Sequence, residues 1–284
     1  MNRRGAALVV AAVLALAAVV SSQAASIAAG ALLHPYRARS TAAKPAACED
    51  LELTNEGIRL KGWRCPADAG GRRGTIVYLH GIADSRASGV GIIERYRRKG
   101  FDVVTYDSRA HGESGGDVCT YGYFERRDLR RVIDTLAAGP VVLIGTSLGA
   151  AVALQHAADD QRVAGVVAAE VFSDLRTIAR ERAPFFLPRR VIEKALRLAE
   201  ERGRFRVDAV SAMEAAKRIR VPVLLIHGAE DRDTNPAHSQ RVLAALGGPK
   251  RLILVEGRGH NRSLSSPQIW DEIDGWIEML IAAS

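Results

Sequence analysis

The sequence is poor in aromatic residues and lacks the motifs that bind nucleic acids, metals or phosphate groups. Aromatic residues make up 5% of its 284 residues, so it offers few side chains on which bases could stack. No two histidines have the spacing of metal ligands, and no glycine-rich phosphate-binding loop is present. We therefore expect no nucleic-acid partner, no metal and no cofactor.

The net charge is +8, but the basic residues do not form one cluster. Arginines are scattered along the chain, which is typical of solvated helix faces; attraction to an anionic membrane surface is the alternative. Hydrophobic residues make up 48% and charged residues 25%, as in an ordinary globular protein. The length suffices for one large α/β domain or two small ones.

The N-terminus carries a positive pair followed by a long apolar stretch. Arg3 and Arg4 precede the uncharged residues 5–33, whose apolar side chains are densest at 6–20. The stretch is long enough to cross a bilayer. The arginines before it predict that the N-terminus stays inside while the rest of the chain is exported.

Residues 1–33 therefore fit two kinds of segment. A retained membrane anchor is favoured, because the apolar part of a signal peptide is usually shorter. A cleaved signal peptide is the alternative, and the small residues at 22–25 suit its cleavage site. In either case a linker over residues 34–47 leads to an extracytoplasmic domain over residues 48–284, which is membrane-anchored or secreted.

The three cysteines bear on this export. Residues 55–58, Asn-Glu-Gly-Ile, have the pattern of a two-residue hairpin turn with glycine where φ is positive. In the register that this turn sets, Cys48 faces Cys65 at a non-hydrogen-bonded position, where opposite residues are closer. In an exported domain this predicts a Cys48–Cys65 disulfide, with Cys119 left as an ordinary loop or packing residue.

Apolar runs alternate with helical patterns along the rest of the chain. Apolar residues spaced for one helix face occur at 129–136 and 269–280. Near-continuous apolar strands that alternate with helices indicate a parallel sheet covered on both faces. The predicted strands are 75–79, 102–106, 141–144, 163–168, 221–226 and 251–255.

One interval between strands, at about residues 171–219, is longer than a crossover helix requires. It contains a proline- and phenylalanine-rich stretch at 184–188 and a predicted helix at 191–201. Intervals of this length inside a compact domain are usually functional. We expect a short helical lid above the carboxyl ends of the strands, where open α/β sheets bind ligands. A surface excursion without a role is the alternative.

Ser147 stands between Gly145 and Gly149, directly after a predicted strand and before a helical pattern. A turn this tight requires neighbours without side chains, and it pushes the serine to the exposed edge of the sheet. The helix that starts there supplies unpaired N–H groups and the positive end of a dipole. The pattern predicts that Ser147 is a nucleophile.

Two backbone N–H groups lie where they could bind the negative charge that such a nucleophile creates. One belongs to Leu148, the residue after the serine, and the other to Ile82, just after the strand at 75–79. His80 precedes Ile82, and a histidine at such a turn more often braces the loop than acts as a base.

An acid and a base follow two further strands. Asp231 comes after the strand at 221–226, with Asp233 as the alternative acid, and His260 follows the strand at 251–255. The chain order serine, acid, histidine is that of the α/β-hydrolase triad. Ser147 would attack a carbonyl, His260 would take and return the proton, and Asp231 would hold the imidazole.

Residues 49–281 resemble the α/β-hydrolase superfamily, in particular the serine-hydrolase branch whose bacterial members often carry an N-terminal membrane segment. Residues 106–114 resemble its D-x-R-G-H-G-x-S block, with Ala110 where glycine is usual. Residues 227–231 resemble its H-G-x-x-D block, and residues 257–260 resemble its histidine loop.

This resemblance implies a mostly parallel eight-stranded sheet with helices on both faces and a short helical lid. It also implies that the acid is Asp231 rather than Asp233, and that the block at 106–114 is structural. Ser147 argues against the dehalogenase branch, which has aspartate at that position.

The expected function is hydrolysis of ester-type bonds through an acyl-enzyme, with a small-molecule or acyl substrate. Carboxylesters are the favoured substrates. Thioester hydrolysis and peptidase activity of the prolyl-oligopeptidase kind use the same machinery and remain alternatives. A binding scaffold without activity is a further alternative, although no triad member is missing.

Overall fold

A computed structural model of the protein describes residues 3–38, 42–68 and 70–282, apart from the side chains of residues 3–17. Within these ranges the strands are β1 Glu49–Asn55, β2 Ile58–Cys65, β3 Gly74–Leu79, β4 Phe101–Tyr106, β5 Val141–Thr146, β6 Val163–Ala169, β7 Val223–Gly228 and β8 Lys250–Val255. The helices are α1 Arg3–Leu33, α2 Val90–Arg97, α3 Glu125–Ile133, α4 Leu148–Ala157, α5 Leu175–Glu181, α6 Arg189–Gly203, α7 Ala212–Ala216, α8 Ala237–Ala245 and α9 Pro267–Ala282.

The strands form one sheet in the order β1-β2-β4-β3-β5-β6-β7-β8. β2 pairs antiparallel with both of its neighbours, β1 and β4, whereas all the other neighbouring strands pair in parallel. This arrangement confirms the predicted fold. Alternate residues of each strand point to opposite faces, so Val77 and Ile76 belong to two separate hydrophobic cores. The predicted strand at 221–226 instead begins at Val223, because Pro222 has no N–H to donate to a ladder.

The hairpin of β1 and β2 has the predicted register, with Asn55 opposite Ile58. One step beyond the paired residues, a disulfide joins Cys48 to Cys65, and both cysteines are buried. The bridge ties the start of the hairpin to its end. Cys119 is a free, buried cysteine.

Removal of this disulfide is expected to lower the free energy of unfolding by about 3 kcal/mol, because it releases a short closed loop in the unfolded chain. Urea unfolding of the oxidised protein and of a Cys48→Ala/Cys65→Ala variant measures the difference. Dithiothreitol should destabilise the wild type and a Cys119→Ala control, but not the double variant. Equal sensitivity of all three to dithiothreitol would contradict the bridge.

The predicted membrane segment corresponds to α1. Among the helices that the structure describes, none is both long and apolar enough to cross a bilayer, so neither the membrane anchor nor a membrane partner is supported. Instead, the C-terminal half of α1 packs against α6. Ala25, Ala29 and Leu33 are fully buried, and Arg202 of α6 donates a hydrogen bond of 2.7 Å to the hydroxyl of Ser26.

The segment between β6 and β7 contains α5, α6 and α7, and we call residues 171–219 the lid segment. The helix expected at 191–201 lies within α6, whereas α5 and α7 were not predicted. Both are short helices capped by a side chain: Asp174 accepts from the N–H of Thr177, and Ser211 accepts from that of Glu214.

Candidate active site

Ser147 lies in the turn between β5 and α4 with φ 48° and ψ −108°, a conformation that residues other than glycine rarely adopt. Its two neighbouring glycines are required by close approach. A Cβ on Gly149 would lie 2.1 Å from the carbonyl oxygen of Leu79, and one on Gly145 would lie 2.5 Å from the backbone of Gly149. The glycine-flanked pattern thus reflects the packing of α4 directly against β3 and β5.

The N–H of Leu148 is the first of α4, and the first N–H groups of a helix have no partner within it. Within the described residues, neither this N–H nor that of Ile82 donates a backbone hydrogen bond. Both residues line the same cavity as Ser147. The two donors are therefore available to a negatively charged oxygen formed at the serine.

His80 braces the loop that carries Ile82. The N–H of Ser108 donates to its Nε2 at 3.0 Å, so its Nδ1 carries the proton and donates to the carbonyl of Gly81 at 2.7 Å. Burial lowers the pKa of His80 and favours this neutral form. Both ring nitrogens are occupied, which agrees with the interpretation of His80 as a structural residue.

Asp231 and His260 are joined by a hydrogen bond of 2.7 Å between Oδ2 and Nδ1. The other oxygen of Asp231 accepts from the N–H groups of Asp233 and Thr234, each at 2.9 Å. Burial alone would raise the pKa of Asp231, but hydrogen bonds from His227, His260 and Thr234 outweigh it and hold the pKa below its ordinary value. The carboxylate is therefore ionised and held in place.

The structure distinguishes the two candidate acids. Asp231 is buried and bonded to His260, whereas Asp233 is exposed and holds Arg182 through its backbone carbonyl at 2.9 Å. Ser147 and His260 line one cavity, although no hydrogen bond joins them in the described part of the chain. The loop that carries His260 brings its ring to the serine side of the sheet.

Glu170 is a functional candidate that the sequence analysis missed. It follows β6 with φ 56°, is 2% exposed, and accepts hydrogen bonds from the backbone N–H groups of residues 261–263 at 2.6, 3.1 and 3.0 Å. Its Oε2 also lies 3.8 Å from Nδ1 of His260. The carboxylate therefore fixes the loop directly after His260, and its position at the end of a strand was the signal that could have found it.

Glu170, Asp231 and His260 are also the described residues that could best hold a metal ion, since their ligand atoms lie within 4.8 Å of one another. However, most of the lone pairs of the two carboxylates already accept hydrogen bonds. Three backbone N–H groups occupy Glu170, and two N–H groups and an imidazole occupy Asp231. The trio is better suited to orienting an imidazole than to coordinating a cation.

The block at 106–114 connects the end of β4 to its surroundings. Arg109 forms a buried ion pair with Asp128 of α3, with Nε and Oδ2 2.6 Å apart. Ala110 has φ 60°, a left-handed conformation that favours glycine, which is why glycine is usual there. These contacts support a structural role for the block.

Buried histidines are expected to make the protein less stable in mild acid. Burial lowers the pKa of His111 to about 4, with a further contribution from His80, whose ring lies 5.2 Å away. An unfolded histidine titrates near pH 6.5, so below that pH the unfolded state binds more protons than the folded state. Stability that is complete above about pH 6.5 is then lost as the pH falls towards about 4, and His111 alone accounts for about 2 kcal/mol between about pH 7 and about pH 5.

Urea unfolding at both pH values measures this loss in the wild type. In a His111→Gln variant, the pH dependence should shrink by that amount, whatever the effect of the substitution on stability at pH 7. Equal pH dependence in the two proteins would show that His111 is not held neutral.

Two cavities meet at Ser147 and Ile82. The larger, which we call the apolar cavity, has a volume of about 590 Å³ and is enclosed by α1, the lid segment and the turn at Ser147. The smaller, the polar cavity, has a volume of about 360 Å³. Besides Ser147 and Ile82, it is lined by Glu181, Arg182, Arg232, Asp233, His260 and Asn261.

Residues 76–270 match the sequence model of the alpha/beta hydrolase family. The chain belongs to this family. The uncharacterized protein YqkD of Bacillus subtilis is 28% identical over 218 residues, which cover 73% of this hydrolase and 70% of that protein. Bovine mitochondrial palmitoyl-protein thioesterase ABHD10 is 27% identical over 187 residues, 60% of each chain.

Among solved structures, the esterase Pf2001 of Pyrococcus furiosus superimposes on this hydrolase with a TM-score of 0.69. The match covers 87% of this chain and 98% of the esterase, at 22% sequence identity. At this identity the likeness concerns the fold alone.

Proposed function

We propose that this α/β hydrolase is a serine hydrolase that cleaves carboxylic esters through an acyl-enzyme. One observation carries the proposal. The buried carboxylate of Asp231 orients His260 through a hydrogen bond of 2.7 Å between Oδ2 and Nδ1, and the imidazole shares a cavity with Ser147, which lies in a strained turn. Nucleophile, base and orienting acid thus come from three separate strand ends. No metal or cofactor is needed for this chemistry.

In the first half of the reaction, Oγ of Ser147 attacks the carbonyl carbon of the ester, and His260 accepts the hydroxyl proton at Nε2. The carbonyl oxygen becomes an oxyanion, which the N–H groups of Ile82 and Leu148 stabilise. Asp231 holds the proton on Nδ1 and stabilises the imidazolium ion. When the tetrahedral intermediate collapses, the bond to the alcohol breaks and His260 gives its proton to the departing oxygen.

In the second half, water takes the place of the alcohol. His260 removes a proton from this water, whose oxygen attacks the acyl carbon and regenerates the oxyanion. Collapse breaks the bond to Oγ, and His260 returns the proton to Ser147. The products are one alcohol and one carboxylic acid, and the side chains end as they began.

Thioesters are the second candidate substrate class. The observation that favours them is the 27% identity to a palmitoyl-protein thioesterase over 60% of the chain. The same acyl-enzyme forms from either bond, because only the leaving atom differs.

A substrate profile with a Ser147→Ala control tests the function. We expect the wild type to hydrolyse p-nitrophenyl esters faster than matched acyl thioesters, and both faster than peptide anilides. A serine-reactive phosphonate should label the wild type but not Ser147→Ala. Labelling that survives the substitution would exclude Ser147 as the nucleophile, and a wild type that is neither labelled nor active would favour a binding scaffold.

We also propose that the hydrolase works outside the cytoplasm. The Cys48–Cys65 disulfide supports this, because disulfides persist in oxidising compartments and are rare in the cytosol. Cell fractionation with thiol labelling tests it: the two cysteines should resist alkylation in protein from the extracytoplasmic fraction. Recovery of the protein only in the cytosol, with both thiols free, would contradict it.

A further inference from the structure

The N-terminal helix α1 forms part of the wall of the apolar cavity. One side is formed by the lid segment and another by the turn at Ser147, but the remaining side is the N-terminal helix α1. The contributing residues of α1 recur every three or four positions and so share one face of the helix. They are Ala24, Ile27, Ala28, Ala31 and Leu32.

The adjacent face of α1 is fixed to the rest of the molecule. At its C-terminal end, the hydroxyl of Tyr121 donates to the carbonyl of Leu32 at 2.9 Å, and the N–H of Cys119 donates to that of Leu33 at 2.8 Å. Further towards the N-terminus, Lys194 of α6 donates to the hydroxyl of Ser22 at 3.0 Å. The wall is therefore part of the folded hydrolase.

Several of the residues that face the cavity have the smallest of side chains. Ala24, Ala28 and Ala31 on α1 and Ala195 on α6 leave a space that larger side chains would close, whereas protein interiors are normally close-packed. Among the described residues that line the space, Arg182 is the one charged side chain. A cavity of this size and lining suits an apolar group of a small ligand.

The position of His260 decides which part of an ester lies in this space. The leaving alcohol receives its proton from His260, so it must lie in the polar cavity, which His260 lines. The acyl group stays bonded to Ser147 and must extend elsewhere. The apolar cavity is lined by Ser147 but not by His260. A further cavity of about 660 Å³ lies beside Ile82 and Asn261, but Ser147 does not line it, so the apolar cavity is the space that an acyl group on Ser147 enters directly.

Given the proposed function, on which this step rests, we infer that α1 forms one wall of an acyl pocket. The substrates are then esters or thioesters of medium- to long-chain unbranched acyl groups. The alanines of α1 set the length and width of chain that the pocket admits.

Hydrolysis of p-nitrophenyl esters from acetate to decanoate tests the inference. Each methylene that enters the pocket should raise kcat/KM by about threefold to fourfold, and the octanoate should exceed the acetate by at least about tenfold. Ala28→Phe narrows the pocket and should lower the octanoate-to-acetate ratio of kcat/KM by at least about tenfold. Ala31→Phe, at an exposed position, should act in the same direction without a buried clash. Gln23→Phe is the matched control, since Gln23 is exposed on α1 outside the cavity.

The outcomes separate this inference from the proposed function. If acetate hydrolysis does not depend on Ser147, the proposed function fails. If hydrolysis depends on Ser147 but the ratio is the same in Ala28→Phe, Ala31→Phe and Gln23→Phe, the acyl pocket is overturned and the serine mechanism stands. An alkyl acetate series in which kcat/KM rises with the length of the alcohol, while the acyl series stays flat, would place the alcohol in the apolar cavity and overturn the inference equally.

Discussion

Replacement of Ser147 by alanine is expected to lower kcat for p-nitrophenyl acetate by at least about 10³-fold, with the protein still folded. The large effect follows from the chemistry, because without Oγ no acyl-enzyme forms and only the oxyanion donors and substrate binding remain. His260→Ala should lose about as much. Since the two side chains act as a unit, the double variant should be little worse than either single one.

Initial rates and single-turnover bursts of the wild type and these three variants measure this non-additivity. Ser266→Ala serves as the serine control, since Ser266 lines neither the apolar nor the polar cavity. The acid is tested by a matched pair. Asp231→Asn should lose far more activity than Asp233→Asn, because only Asp231 is bonded to the imidazole. Losses that multiply in the Ser147→Ala/His260→Ala variant, or equal losses in the two aspartate variants, would be incompatible with a triad.

Ser147, Asp231 and His260 could be singled out as candidate site residues because the information is local. Each follows an apolar strand, and the carboxyl ends of parallel strands meet at one edge of the sheet. Glu170 occupies the same kind of position, but its partners lie more than 90 residues along the chain. The strand-end position could have marked Glu170 as a candidate, but backbone N–H partners leave no sequence signal, so what Glu170 binds emerges only from the folded loop.

The packing of the C-terminal half of α1 against the rest of the hydrolase could not be predicted either, for a different reason. An alanine-rich apolar helix has the same composition whether lipid or protein covers it. The C-terminal half of this helix is held by contacts with α6 and with the loop at 119–121, which only the folded structure shows. Similarly, the sequence predicted one lid helix, at 191–201, but the helices α5 and α7 were too short to show a period.

Asp107 is expected to be the residue of the 106–114 block whose loss costs the most stability. Its side chain is fully buried and accepts hydrogen bonds from the N–H groups of Arg86 and Glu113 at 2.7 and 2.8 Å, besides an ion pair with the guanidinium of Arg86. Asp107→Ala would leave the N–H groups of Arg86 and Glu113 without this acceptor, and the buried guanidinium of Arg86 would keep one carboxylate partner, Glu113, in place of two. We expect the free energy of unfolding to fall by about 3–5 kcal/mol.

The matched control is Asp68→Ala, which breaks an ion pair with Arg97 at 2.6 Å where the carboxylate is 46% exposed. Solvent screens such a pair, so its loss should cost less than about 1 kcal/mol in the same urea titration. If Asp107→Ala were no more destabilising than Asp68→Ala, the buried pair would not be a structural element. The carboxylate oxygens of Asp107 accept from Arg86 and Glu113 and not from His260, so the folded Asp107→Asn variant should keep the wild-type pH dependence of kcat/KM, which the proposed triad would set.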